Sequence, residues 1–269
     1  MTQEIEEIQI TENEVLFKIN EDTKFLADFN DKRTPPLEVL NFNNYENKYS
    51  EILRYASIGE KIIFDIGANI GWYSIVLSSN DDCQIHAFEP VNHTFEILNK
   101  NKILNNRLNV KVNNLGVSNF EGEDKIYYEP ENGTAASLSN ILESNKSKPI
   151  KCKFTTIDSY IMGQNITCLD IIKCDIEGAE IFAIKGGIES IKKFKPIIFL
   201  EMLRKWAKKF NYHPDDIINI LDEIGYSCFA INNKGIRLIN CVSEDTKETN
   251  FVFVDINKHS DFIKKYVCN

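Results

Sequence analysis

The chain has 269 residues, of which 43% are hydrophobic and 26% are charged, a composition typical of globular proteins with a buried core and unlike that of disordered chains. Its formal net charge is −9. This argues against a nucleic acid partner, because proteins that neutralise phosphates usually carry a basic face. The acidic residues 1–10 contain no basic-then-apolar targeting signal, and no apolar run is long enough to span a bilayer. We therefore expect a cytoplasmic protein without a membrane span.

The seven cysteines indicate reduced thiols rather than disulfides. Their number is odd, no two of them form a Cys-x-x-Cys pair, and most lie in apolar stretches, where a thiol behaves as a small buried hydrophobic group. We expect a reducing compartment and no metal bound through cysteine.

Residues 1–57 are predicted to form a small β/α appendage packed on the main domain. Residues 1–12 are polar and are expected to be frayed. Next along the chain we predict two strands around a turn, at 15–19 and 24–27. A proline pair should break regular structure at 33–36. Apolar residues at helical spacing then predict one helix at 37–57.

Residues 58–269 are predicted to form one α/β domain. Short apolar runs alternate with amphipathic segments and Gly or Asn turns, which indicates repeated βα units and a mostly parallel sheet. The predicted strands are 61–65, 84–88, 110–117, 169–173 and 196–200, with added strands at 125–128 and 154–157, and the predicted helices are 71–79, 94–105, 179–191 and 215–224. The last strands, 226–231 and 250–254, are expected to pair antiparallel. The fold class is thus α/β, a Rossmann-like sheet with an antiparallel last strand.

The first predicted strand runs into a glycine turn, Asp65-Ile66-Gly67-Ala68-Asn69-Ile70-Gly71. A strand, a tight glycine turn and a helix form the nucleotide-binding end of open α/β sheets, because glycine permits a sharp turn and a close ligand. The spacing departs from the Gly-x-Gly-x-x-Gly pattern of dinucleotide sites. A carboxylate at Asp65 would also repel a pyrophosphate, whereas it suits a cationic aminoacyl group. We therefore expect S-adenosylmethionine (SAM), which carries an ammonium and a sulfonium but no phosphate.

Glu89, in Phe88-Glu89-Pro90, ends the second predicted strand and follows Gly71 by 18 residues. A carboxylate at this place can accept hydrogen bonds from both ribose hydroxyls of a nucleoside. Taken alone, Glu89 is better explained as an exposed charge at a strand end. Together with the glycine turn it favours ribose binding.

Three segments together resemble the FkbM family of methyltransferases: Asp65–Gly71, Phe88–Pro90 and Lys173-Cys174-Asp175-Ile176-Glu177-Gly178-Ala179-Glu180. The resemblance covers roughly residues 61–205 and departs from the family at Cys174, where an aliphatic residue is usual. It implies a class I, SAM-dependent methyltransferase domain over residues 58–269. Members of the family mostly methylate hydroxyls, often on sugars or polyketide-type small molecules.

The resemblance also implies a division of the cofactor site. Asp65, Gly67, Asn69 and Gly71 would surround the methionine part of SAM, and Glu89 would hold the ribose. Leu115 lies where such folds contact the adenine. Asn114 could supply an amide contact there, or it could be an ordinary polar residue at a strand end.

Three carboxylates are expected to converge at the cofactor's methyl end, because ligands in open α/β sheets bind outside the carboxyl ends of the strands. A hydroxyl acceptor must lose its proton as it attacks the methyl group. Asp175 is our first candidate for the base or substrate orienter, and Glu201 is the second. Glu177 serves either catalysis or the start of the following helix, and Lys173 shares a face with Asp175 and is expected to pair with it. A divalent cation on these carboxylates is an open alternative that we do not favour.

The sequence thus predicts a SAM-dependent O-methyltransferase, with S-adenosylhomocysteine (SAH) as the second product. The acceptor would be a small molecule, either a saccharide of a surface glycan or a secondary metabolite. Alternatives are an NAD-dependent oxidoreductase and a non-enzymatic module that binds SAM or a nucleoside. The loops 129–150 and 202–214 are expected to select the acceptor; in the second, Trp206, Phe210 and Tyr212 form either a wall for a sugar ring or a satellite core.

Overall fold

The computed structural model describes residues 5–12, 14–20, 23–26, 34–42, 47–129, 136–141, 143 and 145–268. Its N-terminal part contains an antiparallel sheet of β1 (Glu7–Ile10), β2 (Val15–Asn20) and β3 (Thr23–Leu26), followed by α1 (Pro35–Phe42) and α2 (Asn47–Ala56). None of the helices in these ranges has the length and apolar character that a membrane span requires.

Two expectations for this N-terminal part were wrong. Residues 7–10 are not frayed but pair with β2; every residue of β1 is exposed, so no alternation of apolar and polar residues marks it. Pro35 begins α1 instead of breaking regular structure, because a proline is tolerated in the first turn, where its missing N–H costs no helical hydrogen bond. The predicted helix 37–57 corresponds to α1 and α2. Parts of these predictions fall outside the described residues, at positions 1–4, 21, 22, 27–33 and 43–46.

After residue 58 the elements are β4 (Lys61–Ile66), α3 (Trp72–Leu77), β5 (Cys83–Phe88), α4 (Asn92–Leu104), β6 (Val110–Asn113), β7 (Gly116–Val117), β8 (Gly122–Tyr128), β9 (Lys148–Thr155), α5 (Ile157–Gly163), β10 (Ile171–Cys174), α6 (Glu180–Lys185), α7 (Ile188–Phe194), β11 (Ile197–Glu201), α8 (Arg204–Ala207), α9 (Pro214–Asp222), β12 (Tyr226–Asn232), β13 (Gly235–Ile239), β14 (Asn250–Asp255) and α10 (Ser260–Tyr266). Eight of these strands form the main sheet, in the order β13-β12-β14-β11-β10-β4-β5-β6. The fold class is α/β and Rossmann-like, as predicted.

The pairing of the main sheet fixes where a ligand can bind. Strands β6, β5, β4, β10 and β11 run parallel, whereas β14 is antiparallel to both β11 and β12, which confirms the antiparallel pairing expected of the last strands. The chain builds outward from β4 to β6 on one side and from β10 to β11 on the other. The strand order therefore reverses between β4 and β10, and ligands of open α/β sheets bind at such a switch point.

Both faces of the main sheet are buried, because side chains of successive strand residues point to opposite faces. In β4, Ile63 and Phe64 are fully buried in different hydrophobic clusters. The cluster of Ile63 also contains Phe25 of β3 and Ile52 of α2. The N-terminal segment therefore contributes to the core on one face of the main sheet.

Three predicted elements have different bounds in the structure. The strand expected at 110–117 is two strands, because β7 leaves the main sheet and pairs with β9 in a second sheet of order β7-β9-β8. The helix expected at 179–191 is α6 and α7, which are separated at Gly186 and Gly187, where the backbone approaches Ser118 and Ile157 too closely for a Cβ atom. The strand expected at 154–157 ends at Thr155, because Thr156 caps α5 by accepting a hydrogen bond from the Ser159 N–H.

Candidate active site

A pocket opens at the carboxyl ends of β4, β5 and β10, at the switch point of the sheet. Its polar side consists of the glycine turn after β4, the residue that follows β5, and the segment that follows β10. Its other side is apolar, with side chains from the main sheet, from β8 and from β9. The polar residues are Gly67, Asn69, Glu89, Ser137, Asp175 and Glu177, and the apolar residues include Phe88, Leu115, Val117, Ile126, Phe154 and Ile176.

The glycine turn is packed so tightly against the segment after β10 that Gly67 cannot carry a side chain. A Cβ atom at Gly67, whose φ is +74°, would lie 1.9 Å from the backbone oxygen of Asp175. Asn69 follows in the left-handed region with a φ of +51°, and its Oδ1 accepts a hydrogen bond from the Ile70 N–H over 2.6 Å. Gly71 caps α3 with a φ of +92° and contacts the side chain of Leu98. Gly67 and Asn69 therefore face the pocket, whereas Gly71 packs against α4.

Asp65 and Lys173 form a buried ion pair behind the turn, outside the lining of the pocket. They are cross-strand neighbours on β4 and β10, and Lys173 Nζ lies 3.4 Å from Asp65 Oδ1. The other oxygen of Asp65 accepts a hydrogen bond from Ser74 Oγ over 2.6 Å. Lys173 Nζ also donates to the Gly67 carbonyl over 3.2 Å and lies 3.8 Å from Asp175 Oδ2. The pair supports the turn through the hydrogen bond from Lys173 to the Gly67 carbonyl. The contact of Asp65 with the methionine part of SAM and the role of Lys173 beside the acceptor stay predictions.

Glu89 is the most deeply buried acidic group that lines the pocket, with 6% of its surface exposed. Its two carboxylate oxygens accept hydrogen bonds from the backbone N–H groups of Val91 and Asn69, over 2.9 and 3.0 Å. Burial raises the pKa of Glu89 to about 7, although these two hydrogen bonds and the charge of Lys173 act in the opposite direction. A carboxylate oxygen has two lone pairs, so Glu89 retains acceptor capacity for further donors.

The residues predicted near the adenine differ in their positions. Leu115 lines the pocket. Asn114 is not among the lining residues: its Nδ2 donates to the carbonyl oxygens of Glu89 and Pro90, over 2.9 and 3.1 Å. The Asn114 amide thus holds the turn that follows β5, and a contact with adenine stays a prediction.

Three carboxylates meet beside the pocket, as the sequence predicted from the ends of β10 and β11. Asp175, Glu177 and Glu201 each place an oxygen within 4.8 Å of the other two, and all three are half-buried. Oxygen ligands of this kind suit hard cations. However, acidic groups often gather at strand ends without an ion, so the cluster by itself indicates no metal. It supplies negative charge and proton acceptors beside the pocket.

Sequence reasoning assigned no role to Glu180, which is 1% exposed at the start of α6. Its Oε1 accepts hydrogen bonds from the N–H groups of Ile176 and Gly178, and its Oε2 accepts one from the Tyr212 hydroxyl. Burial raises the pKa of Glu180 to about 7. The only sequence signal for such a role was that Glu180 belongs to the Lys173–Glu180 motif and begins a helix. Tyr212 packs against one of the main hydrophobic clusters, Trp206 packs against Gly178, and Phe210 packs against Phe182. None of the three is among the residues that line the pocket, and a role as a wall for a sugar ring stays a prediction.

The small sheet β7-β9-β8 and the segment between β8 and β9 form a wall that the sequence did not predict. Ile126 of β8 and Phe154 of β9 line the pocket together with Ser137. Ser137 Oγ donates to the Glu177 carbonyl over 2.9 Å, and in the same segment Glu143 forms an ion pair with Lys209. The two loops expected to select the acceptor are therefore in contact with each other. Residues 130–135, 142 and 144 of the first loop lie outside the described residues.

Comparison with solved structures finds methyltransferases. The chain is similar to the methyltransferase FkbM from Methylobacillus flagellatus KT, with 18% identity and a TM-score of 0.45 over 81% of this chain and 53% of that one; it thus corresponds to about half the length of that protein. It is also similar to precorrin-6y C5,15-methyltransferase from Geobacter metallireducens GS-15, with 13% identity and a TM-score of 0.42 over 78% and 87% of the two chains. A third is SMU.1697c from Streptococcus mutans in complex with SAH, with 10% identity and a TM-score of 0.45 over 77% and 94%.

Sequence comparison assigns the family. No curated protein matches this chain. The family model described as the methyltransferase FkbM domain matches residues 65–228, which span the glycine turn, Glu89, the segment after β10 and the strands through β12. The chain belongs to the FkbM methyltransferase family.

Proposed function

We propose that the protein is a SAM-dependent methyltransferase that transfers the methyl group to a hydroxyl of a small molecule, either a saccharide of a surface glycan or a secondary metabolite. The observation that carries the donor assignment is the position of Glu89. Its carboxylate lies in the pocket beside the glycine turn, where it accepts the Asn69 N–H. Ribose hydroxyls are the donors that a strand-end carboxylate in such a fold receives.

The two sides of the pocket suit the two halves of SAM. The apolar residues Phe88, Leu115 and Phe154 offer the dry surface that a nucleobase requires. Asp175 and Glu177 supply negative charge for the ammonium and the sulfonium. Asp175 and Glu177 also disfavour NAD, because the pyrophosphate of a dinucleotide would have to lie beside the Gly67 turn and next to these two carboxylates.

Bound SAM would supply an electrophilic methyl group. The contribution of the protein is then to hold a hydroxyl beside it and to accept the hydroxyl's proton as the oxygen attacks. Asp175 is the first candidate for this acceptor, because its half-buried carboxylate lines the pocket. Glu201 is the second candidate. Lys173 lies 3.8 Å from Asp175 and would orient its carboxylate.

Titration calorimetry with SAH, SAM and NAD tests the donor. We expect the wild type to bind SAH and SAM, and Glu89→Gln to bind them at least tenfold more weakly, because the amide group faces one of the two N–H donors and removes acceptor capacity. Glu96→Gln is the matched control, since Glu96 is exposed on α4 and accepts a hydrogen bond from Asn92, away from the pocket. Binding of NAD without SAH would favour the oxidoreductase instead.

Transfer of an isotopically labelled methyl group from SAM tests the acceptor. The probes are a panel of glycosides, hydroxylated aromatics, amines and transfer RNA, with the product identified by mass spectrometry. We expect label on a hydroxyl, and a rate at saturating SAM about 100-fold lower in Asp175→Asn than in wild type. Label on an amine contradicts the hydroxyl assignment, and label on RNA contradicts the small-molecule acceptor. Binding of SAH without transfer to any probe favours the non-enzymatic module.

A further inference from the structure

Glu180 makes contacts that are unusual for the first residue of a helix. Its side chain is buried and turns back toward the residues that precede α6. One oxygen, Oε1, accepts the N–H of Ile176 over 3.1 Å and the N–H of Gly178 over 3.0 Å. These two N–H groups flank Glu177, so a single carboxylate oxygen closes a loop around the residue between them.

The backbone enclosed by these hydrogen bonds adopts a conformation that needs support. Glu177 has a φ of +54° and Gly178 a φ of +98°, and L-residues such as glutamate seldom occupy the left-handed region. Such a conformation persists when neighbouring groups over-determine it. Gly178 cannot shift toward α8, because a Cβ atom there would already lie 2.8 Å from Trp206 Cβ.

The segment Asp175–Ala179 lines the pocket with four of its residues, Asp175, Ile176, Glu177 and Ala179. Its start is fixed by the Asp175 N–H, which donates to the Ile66 carbonyl over 3.1 Å. Its middle is held from outside by Ser137, which donates to the Glu177 carbonyl. On its other side, Glu180 Oε1 accepts the N–H groups of Ile176 and Gly178. Glu180 is therefore one of the groups that support the backbone from which Asp175 and Glu177 extend.

We infer that Glu180 is a positioning residue of the candidate site: through the N–H groups of Ile176 and Gly178, it holds the segment Asp175–Ala179 in the conformation that forms the acidic wall of the pocket. The inference rests on the proposed function only for the identity of the ligand. Glu180 touches neither the donor nor the acceptor in this assignment, and it acts through the backbone.

Tyr212 completes the arrangement and suggests how to test it. Its hydroxyl donates to Glu180 Oε2 over 3.2 Å, and a hydroxyl can also rotate and accept. Glutamine at position 180 would therefore keep Oε1 for the two N–H groups and donate its amide to the tyrosine oxygen. Aspartate is one methylene shorter and cannot reach both N–H groups while keeping the contact with Tyr212.

The test compares Glu180→Gln, Glu180→Asp and Glu180→Ala in the full chain by two measurements. The first is hydrogen exchange at the Ile176 and Gly178 amides, and the second is calorimetric titration with SAH. Glu189→Ala is the matched control, because Glu189 also lies in the first turn of a helix but is exposed. Tyr212→Phe removes the contact to Oε2 and leaves both N–H contacts in place.

We expect Glu180→Gln, Tyr212→Phe and Glu189→Ala to retain slow exchange at both amides and to bind SAH within about threefold of wild type. Glu180→Asp and Glu180→Ala should exchange at least tenfold faster there and should lose about tenfold to 100-fold in SAH affinity. If Glu180→Ala fails to fold, the comparison of Gln with Asp decides the question. The inference is overturned if Gln is as damaging as Asp, or if Asp leaves both measurements unchanged. A wild type that does not bind SAH, with the expected exchange pattern intact, contradicts the proposed function and not the role of Glu180.

Discussion

Asn101 Nδ2 donates a hydrogen bond to the Ile70 carbonyl oxygen over 2.8 Å, and this joins α4 to the glycine turn of the candidate site. Asn101 is fully buried, and its Oδ1 accepts the N–H of Leu26 over 2.8 Å. One side-chain amide therefore links the N-terminal sheet, α4 and the turn. Asn101 thus links the turn that lines the pocket to Leu26, which lies outside the segment matched by the family model.

We predict that Asn101→Ala lowers the free energy of unfolding by about 2–4 kcal/mol, because it leaves the Leu26 N–H and the Ile70 carbonyl without their partner, and a buried group left so costs about 1–3 kcal/mol. SAH affinity should fall as well, since the turn loses a restraint. Urea unfolding and calorimetry measure the two effects. Asn92→Ala is the control on the same helix, because Asn92 is exposed and bonds to Glu96. Equal effects of both changes would contradict the link.

The second prediction concerns the division of the chain at residue 57. Phe25 is fully buried and stacks on Trp72 with ring centroids 4.9 Å apart, and Ile52 and Leu53 of α2 are fully buried in the same cluster as Ile63. Deletion of residues 1–57 would expose this face of the main sheet to water. We expect a fragment that starts at residue 58 to lack a cooperative thermal transition in circular dichroism. A fragment that unfolds cooperatively and binds SAH would make residues 1–57 an independent appendage.

How far the site could be predicted from the sequence depends on whether the signal was local. The glycine turn was predictable because a buried strand followed by closely spaced glycines has few other structures. The convergence of Asp175 with Glu201 was predictable because carboxyl ends of neighbouring parallel strands lie at one edge of a sheet. Asn114 was undecided because the direction of an amide depends on which carbonyl oxygens surround it, here those of Glu89 and Pro90.

Features that depend on distant contacts could not be predicted. Glu180 reads as an ordinary acidic residue in a first helical turn, and only its contact with Tyr212, 32 residues further along, shows that it is enclosed. The departure of β7 from the main sheet was hidden because a strand of two residues, Gly116 and Val117, carries no pattern. Likewise, β8 is exposed along most of its length. Its sequence therefore shows no clear alternation of apolar and polar residues that would have indicated that Ile126 lines the pocket.

The third prediction uses two glycines that share a backbone conformation but differ in their surroundings. Gly67 and Gly59 have φ values of +74° and +91°; a Cβ atom at Gly67 would lie 1.9 Å from the Asp175 backbone oxygen, whereas one at Gly59 would meet nothing within 4 Å. Alanine should therefore cost about 1–2 kcal/mol of unfolding free energy at Gly59, the penalty of the left-handed conformation alone.

At Gly67, alanine must also displace the turn or the segment after β10, and both line the pocket. We expect SAH affinity to fall about 100-fold or more in Gly67→Ala and to stay within twofold in Gly59→Ala. Calorimetry with SAH measures both. Similar SAH affinities in the two variants would mean that the close contact between Gly67 and Asp175 is irrelevant to binding.

The fourth prediction is a pH dependence of ligand affinity that arises from Glu89. Burial raises its pKa to about 7 in the ligand-free protein, so the carboxyl is largely protonated at pH 6 and ionised at pH 8. For folding, a raised carboxyl pKa means that this contribution to stability is present at low pH and is lost as pH rises through 7. Ligand affinity changes with pH in the opposite direction to stability. Ribose hydroxyls that donate to Glu89 would favour its ionised form and lower its pKa, so binding releases a proton wherever the free protein holds one.

SAH affinity should therefore rise about tenfold between pH 6 and pH 8 and level off above pH 8, because binding must first remove the proton at the lower pH. Titrations in two buffers with different ionisation enthalpies would reveal the released proton directly. Glu180 also has a pKa of about 7, so Glu89→Gln is needed to separate the two groups. In Glu89→Gln the affinity should be lower and independent of pH, whereas Glu180→Gln should retain the rise. A rise that survives in Glu89→Gln and disappears in Glu180→Gln would assign the titration to the wall of the pocket and remove the pH argument for ribose at Glu89.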